Sequence, residues 1–189
     1  MRISLHQPNY FPTLAYFEKI RQVDLFVIIR HCQFEKGNYQ NRFNMNGEWH
    51  TMSVNSGSKD LISQKKYVNP EVDWKRIKQN LSQYDHILSR FDHFINEELD
   101  LTNIGIVVEI CRLLDIHTII DYDFKTEKKG TERLVEICKH YNATTYLSGS
   151  SGKKYLNLDL FRNENIEVEY QTGQNYEPII KTLDKLNFK

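Results

Sequence analysis

Leu5-His6-Gln7-Pro8-Asn9-Tyr10-Phe11-Pro12 is the stretch whose reading decides the fold. Ahead of it, Arg2 to Gln7 reads as a short strand. Behind it, Leu14, Phe17 and Ile20, with Tyr16 and Val23 beside them, carry helical spacing, and Pro12 suits the first turn. Leu25-Phe26-Val27-Ile28-Ile29 is an unbroken apolar run with β-branched members, the pattern of a buried parallel strand. Strand, helix, strand is a βαβ unit, and its crossover is expected to be right-handed. Two prolines stiffen the turn between the first strand and the helix, holding an imidazole, two amides and a phenol in few conformations. Ligands of open α/β sheets bind at the carboxyl ends of strands, so His6, Gln7, Asn9 and Tyr10 are candidates. The same residues also read as a stiff connector with a capping histidine.

Outward from this unit, Arg30 to Gly37 is polar. Asn46-Gly47 then lies between two alternating runs, Tyr39 to Met45 and Glu48 to Val54, and suits a type I′ hairpin turn. A two-residue loop pairs Met45 with Glu48, Asn44 with Trp49, Phe43 with His50, Arg42 with Thr51 and Asn41 with Met52. One face then carries Tyr39, Asn41, Phe43, His50, Met52 and Val54. Asn41 and His50 are polar on that mostly apolar face, and a structural hydrogen bond is expected for each. Asn55 to Ser63 reads as a mobile Ser/Gly/Lys loop. Asn69-Pro70 opens a helix whose stripe is Trp74, Ile77, Leu81, Tyr84 and Leu88. Phe91, Phe94, Ile95 and Leu99 mark a second, shorter helix, and Thr102 or Asn103 opens a third through Ile104, Val107, Val108 and Cys111. Beyond it come a strand at Thr118–Tyr122, a helix through Leu134, Ile137, Cys138 and Tyr141, and a strand at Thr144–Leu147. A short helix through Leu158 and Phe161 and a strand at Ile166–Gln171 close the pattern, and the tail after Gly173 is weakly patterned. The expected architecture is α/β: a mainly parallel, Rossmann-like sheet flanked by helices, with an early β-hairpin and a helical insert at about 70–115, all within one domain spanning 1–189.

Lys plus Arg and Asp plus Glu are 25 each, so the net charge is zero and nothing favours a nucleic-acid groove or an anionic membrane surface. Cys32, Cys111 and Cys138 are widely separated and odd in number, and read as reduced thiols of a cytosolic protein. No apolar run approaches the length of a membrane span, and the N-terminus has no signal-peptide pattern.

Three loops leave strand ends: His6 to Tyr10, Arg30 to Lys36, and Ser148 to Tyr155. The third is not a Walker A motif, because two residues separate Gly149 from Gly152 and a second lysine follows Lys153. It reads either as an anion cradle, with Lys153 and Lys154 entering a helix, or as a flexible surface loop. His31 and Cys32 are adjacent, but no second pair has metal-ligand spacing, so no metal is expected. A nucleophile elbow is absent. His6 is the general-base candidate, since an unperturbed imidazole titrates near neutral pH.

His6-Gln7-Pro8-Asn9-Tyr10-Phe11-Pro12, Tyr16-Phe17-Glu18-Lys19-Ile20, Asp24-Leu25-Phe26-Val27, Gln33-Phe34-Glu35-Lys36 and Gln40-Asn41-Arg42 together resemble the WbqC-like family. Tyr146-Leu147-Ser148-Gly149 with Gly152, Tyr155-Leu156 and Phe161 resembles that family's second signature. The resemblance implies a bacterial protein of O-antigen or other surface-polysaccharide gene clusters. It implies cytosolic modification of a sugar nucleotide by acyl or aminoacyl transfer onto an amino sugar. By motif it brings in His6, Gln7, Asn9, Tyr10, Gln33, Lys36, Asn41, Arg42, Ser148, Gly149, Gly152 and Tyr155. The family usually has acidic residues just before the Gln-Phe pair, where this chain has Arg30-His31. Many members also run longer at the C-terminus than Lys189.

The expected transferase takes a sugar nucleotide and an activated acyl donor as partners. His6 accepts a proton, Gln7 and Asn9 donate to the oxyanion, and Arg42, Lys153 or Lys154 meets the diphosphate. The sequence names no cofactor. Two other readings stay open. One is a nucleotidyl-transfer or nucleotide-binding α/β protein, although the second His of such sites is Asn9 here. The other is a non-catalytic partner in polysaccharide assembly, which the Arg30-His31 departure favours.

Overall fold

Five short strands, β1 (Arg2–His6), β2 (Leu25–Ile28), β5 (Ile119–Tyr122), β6 (Thr145–Ser148) and β7 (Glu167–Tyr170), form one parallel sheet in the order β5-β2-β1-β6-β7. β1 lies at its centre, paired with β2 from Ile3↔Leu25 to His6↔Ile28 and with β6 from Arg2↔Thr145. The computed structural model describes residues 1–57 and 59–186.

β2 is apolar on both sides, because the sheet is covered on both faces, and β1 sets Ile3 and Leu5 on one side and the buried Ser4 on the other. One face packs Phe26, Ile28 and Leu147 against α1 (Leu14–Arg21), α2 (Pro70–Asn80), α3 (Asp85–Leu88), α4 (Leu99–Leu113) and α7 (Ile179–Lys185). The other packs Ile3, Leu5, Leu25 and Val27 against α5 (Gly130–His140) and α6 (Leu158–Arg162). That division follows from handedness. The chain moves from β1 to β2 to β5 in one direction, then reverses past β1 to β6 and β7, and right-handed crossovers must then place their helices on opposite faces.

A separate antiparallel hairpin joins β3 (Arg42–Met45) and β4 (Glu48–Thr51). Its register is the expected one, with Arg42↔Thr51, Phe43↔His50, Asn44↔Trp49 and Met45↔Glu48. Asn46 and Gly47 both have positive φ, 55° and 88°, as a type I′ turn requires. The strands are shorter than the alternation implied. Tyr39 precedes β3 and is exposed, whereas Phe43, Met45 and Met52 are core. Asn41 makes the expected structural bond, Nδ2 donating to Met52 O at 2.8 Å, but buried His50 Nε2 has no partner among the described residues and its ring stacks on Phe43 instead.

Four expectations outside the sheet are corrected. Phe91 and Phe94 lie on a 3-10 segment, Ser89–Phe94, rather than on an α-helix with Leu99. α4 begins at Leu99, before Thr102 and Asn103, whose side chains point into the core. The Asn55–Ser63 loop is anchored where it ends: Ile62 is buried in a 3-10 turn, while Ser58 lies outside the described residues. Finally, the weakly patterned tail forms α7, with Ile179, Ile180 and Leu183 buried.

Candidate active site at the carboxyl edge of the sheet

The strand order reverses between β1 and β6, so the loops leaving these two strands diverge to opposite faces and open a crevice at their carboxyl ends. His6 to Asn9 leave β1 there, and Ser148 to Lys154 leave β6. The ends of β2 and β5 stand next in line, bringing Arg30 to Gln33 and Asp123 to the same edge.

The β1 turn is held from within the core. Asn103 on α4 donates to Pro8 O at 2.8 Å and to Gln40 O at 2.7 Å, and accepts from Tyr67 Oη. Phe11 has φ 43°, a conformation that a bulky residue adopts only under constraint, and its ring is clamped on Trp74 and against Phe91. The remaining non-glycine residues of positive φ among those described are Asn or Asp. Tyr10 is fully buried against Phe11, Phe43 and Tyr67, its hydroxyl without a partner among the described residues, so it is part of the turn's foundation and not of the surface.

The polar side chains of the turn divide by what they are bonded to. Gln7 is engaged at both ends, Nε2 donating to Cys32 Sγ at 3.3 Å and Oε1 accepting from Gln40 Nε2 at 2.7 Å. Asn9 is half-buried, with no side-chain hydrogen bond among the described residues. His6 sits edge-on to the Tyr16 ring and directs Nδ1–H at Gln7 O, 3.1 Å away, which leaves Nε2 as a lone pair. Burial, helped by the nearby Lys19 charge, brings the His6 pKa down to about 3, so this imidazole is neutral through the physiological range.

At the ends of β2 and β5, the charges are paired and buried. Arg30 bonds Asp100, which is 1% exposed, through both Nε (2.7 Å) and Nη2 (2.5 Å). Asp123 has a fully buried carboxylate. It accepts from the backbone N–H of Arg30 and His31, from His31 Nδ1 at 2.9 Å, and from Arg133 Nη2. Arg133 also donates to His31 O at 2.6 Å. Cys32 lies beside this cluster and touches Gln7, and burial raises its thiol pKa.

The β6 loop is built differently from an open cradle. It forms a 3-10 turn, Ser150–Lys154, folded back on its own strand end. Ser148 is 1% exposed and bonds Gly149 O, and a Cβ at Gly152 would overlap Ser148 Oγ and lie 3.0 Å from Leu156 Cδ1. Ser148 and Gly152 thus face each other as a packing pair. Lys153, Lys154 and Tyr155 are exposed, with Lys153 Nζ 5.3 Å from the centroid of the Tyr170 ring. Gln33 and Lys36 are exposed on the loop after β2. Arg42 stacks on Trp49, 4.0 Å from the ring centroid, and donates to Gly37 O. Asn41 is buried in the hairpin base.

Asp123, Arg133, Asp100, Asn103 and Lys19 were not found from sequence. An isolated Asp after a strand and an Arg within Thr131-Glu132-Arg133-Leu134 look like solvated surface, and only the tertiary fold buries them. Lys19 is 4% exposed with no carboxylate partner among the described residues. Its Nζ lies 5.8 Å from the Phe26 ring centroid, and burial lowers its pKa to about 7. No three His, Cys, Asp or Glu side chains among the described residues gather as a metal site, and no helix is long and apolar enough to cross a membrane.

A five-strand parallel sheet flanked by helices, with a separate two-strand hairpin, places the protein in the Rossmann-like α/β class. The chain belongs to the WbqC-like protein family, whose model matches residues 7–181. It is also similar to the uncharacterized protein Rv1507c of Mycobacterium tuberculosis (strain ATCC 25618 / H37Rv), at 26% identity over 213 aligned positions covering 98% of this chain and 92% of that protein. No solved structure matches it.

Proposed function

We propose that this protein modifies a sugar nucleotide in surface-polysaccharide biosynthesis by transferring an acyl or aminoacyl group to the amine of a nucleotide-linked amino sugar. The observation that carries the reading is the uncommitted pair at the β1/β6 switch point, His6 Nε2 and the Asn9 amide, held by a turn that the core constrains. A neutral His6 accepts a hydrogen bond from the attacking amine and steers its lone pair. Asn9 Nδ2–H donates to the oxygen that gains charge as the tetrahedral intermediate forms, a contact worth about 3–4 kcal/mol in such sites. Gln7, bonded to Cys32 and Gln40, supports the turn in place of a second oxyanion donor. Lys153 and Lys154 are free to meet the diphosphate from the β6 side.

A thermal-shift panel of dTDP- and UDP-linked amino sugars, with ATP and acyl donors alongside, tests this. A ligand at 100 times its Kd adds about 2.7 kcal/mol of stability. A shift with an amino-sugar nucleotide, absent in Asn9→Ala, supports the reading. A shift with ATP alone replaces it with nucleotidyl transfer, and a flat panel replaces it with a non-catalytic role.

A further inference from the structure

We infer that His31, at the end of β2, is the proton acceptor of the transfer, with Asp123 and Arg133 as its positioning residues. The inference rests on the transferase reading above and supplies what His6 lacks. His6 steers the amine, but a proton placed on it is poorly held in its apolar surroundings.

The cluster is built to present one nitrogen. An ionised carboxylate only accepts, so Asp123 Oδ1 fixes the His31 tautomer with the proton on Nδ1 and leaves Nε2 as the open lone pair. Four donors hold that carboxylate: two backbone N–H groups, the imidazole and a guanidinium. Arg133 pairs with the fully buried Asp123 carboxylate, and its second bond, to His31 O, fixes the backbone of the histidine as well. The His31 side chain retains 19% of its exposure while Asp123 retains none, so the ring is the accessible member of the pair.

The place also fits. β2 is the hydrogen-bonded neighbour of β1, and Ile29 N–H donates to His6 O. Adjacent strands are about 4.8 Å apart, so the loops that carry the two histidines leave neighbouring positions on the carboxyl edge. Cys32, next to His31, touches Gln7 of the β1 turn. The charged groups around the imidazole are Arg30 on its own strand end, Asp100 on α4, Asp123 beyond β5 and Arg133 on α5, and Arg30 and Asp100 neutralise each other.

In the step, the amine nitrogen lone pair forms a bond to the carbonyl carbon of an activated acyl ester or thioester. The bond from that carbon to the leaving oxygen or sulfur breaks. The proton lost by nitrogen goes to His31 Nε2 and from there to the departing group. The positive charge formed on the ring is stabilised by Asp123.

Diethyl pyrocarbonate, itself an acyl donor that reacts with an unprotonated imidazole nitrogen, tests this on the full chain at pH 7 with mass spectrometry of each histidine. His31 is expected to be labelled ahead of His117, whose side chain is 85% exposed, and Asp123→Asn is expected to abolish that lead. Whichever way its amide turns, an asparagine lacks the negative charge that stabilises the ring as Nε2 attacks the reagent, so the lead is lost. Labelling no faster than His117, or a lead that survives in Asp123→Asn, overturns the proposal. Should Asp123→Asn not fold, ¹⁵N NMR of the wild-type histidines decides instead: a proton on His31 Nε2 rather than Nδ1 overturns it. With an acceptor identified by the thermal-shift panel, His31→Gln should keep the shift and lose about 10²–10⁴-fold in turnover. Turnover retained in His31→Gln overturns the proposal, whereas a wild-type protein that shifts with no sugar nucleotide removes the transferase reading and leaves the labelling result to judge His31.

Discussion

A buried ammonium without a carboxylate beside it is costly, and Lys19 is such a group. Its surroundings bring the pKa to about 7, while in the unfolded chain it titrates near 10.5. Between those values the unfolded chain binds the extra proton and the folded one does not. The Lys19 contribution to stability therefore rises with pH across that window, by up to about 1.4 kcal/mol per pH unit, and is least favourable below pH 7. Lys19→Met keeps the length and removes the charge. It is expected to raise stability at pH 7 by roughly 1–4 kcal/mol and to flatten the rise. Urea unfolding of both proteins at pH 7, 8 and 9 measures the difference, and parallel curves would show that Lys19 is charged and solvated in the folded state. The sequence could not have revealed this. Lys19 lies between Phe17 and Ile20, where a lysine normally snorkels to water, and only the seating of α1 on Phe26 decides otherwise. The place of His6, by contrast, was legible at the end of β1, whereas its departure from a near-neutral pKa was not, because the burial and the Lys19 charge that cause it come from the fold.

Elements were readable wherever backbone chemistry sets them locally. Asn46-Gly47 dictated a type I′ turn, and the two-residue loop dictated every pair of the hairpin. α4 and α7 were less readable for opposite reasons. Asp100, Thr102 and Asn103 are polar yet buried at the start of α4, masking its first turn, and α7 is too short to show a repeating stripe. The β6 loop reads in sequence either as an anion cradle or as a flexible surface loop, and in the fold two of its small residues, Ser148 and Gly152, pack closely. Gly152 has no room for a Cβ because the Ser148 hydroxyl occupies the place. Gly152→Ala should therefore destabilise the protein by about 1–3 kcal/mol through overpacking. In the Ser148→Gly background the same change should be tolerated, since both the hydroxyl and its Cβ are gone. A double-mutant cycle in urea reads this as a coupling between the two sites. Additive effects would mean that the loop shifts to admit the methyl group, and that Gly152 serves the ligand rather than the fold.

At the scale of the whole molecule, concavity and topology point to different places. Two shallow clefts flank the edge strand β5, one lined by Val108, Arg112 and Tyr122 and the other by Arg21, Asp24 and Ile119. Both lie away from the β1/β6 crevice. The clefts combine exposed, mutually paired surface charges such as His117 and Asp115 with an edge strand, whereas the crevice has a constrained turn and uncommitted polar groups. Alternation of strands and helices in the sequence implied the parallel sheet, but not the strand order, because the order depends on which helix covers which face. That order is what locates the crevice, so the site could be assigned to loops from sequence and to a neighbourhood only from the fold. Hydrogen exchange with a saturating amino-sugar nucleotide compares the two places directly. Ligand in the crevice slows exchange in residues 7–12, 30–34 and 149–155 and leaves 115–122 at the free rate. Protection of 115–122 alone would move the binding site to the β5 edge, and with it the acyl-transfer chemistry assigned to His6, Asn9 and His31 would lose its substrate.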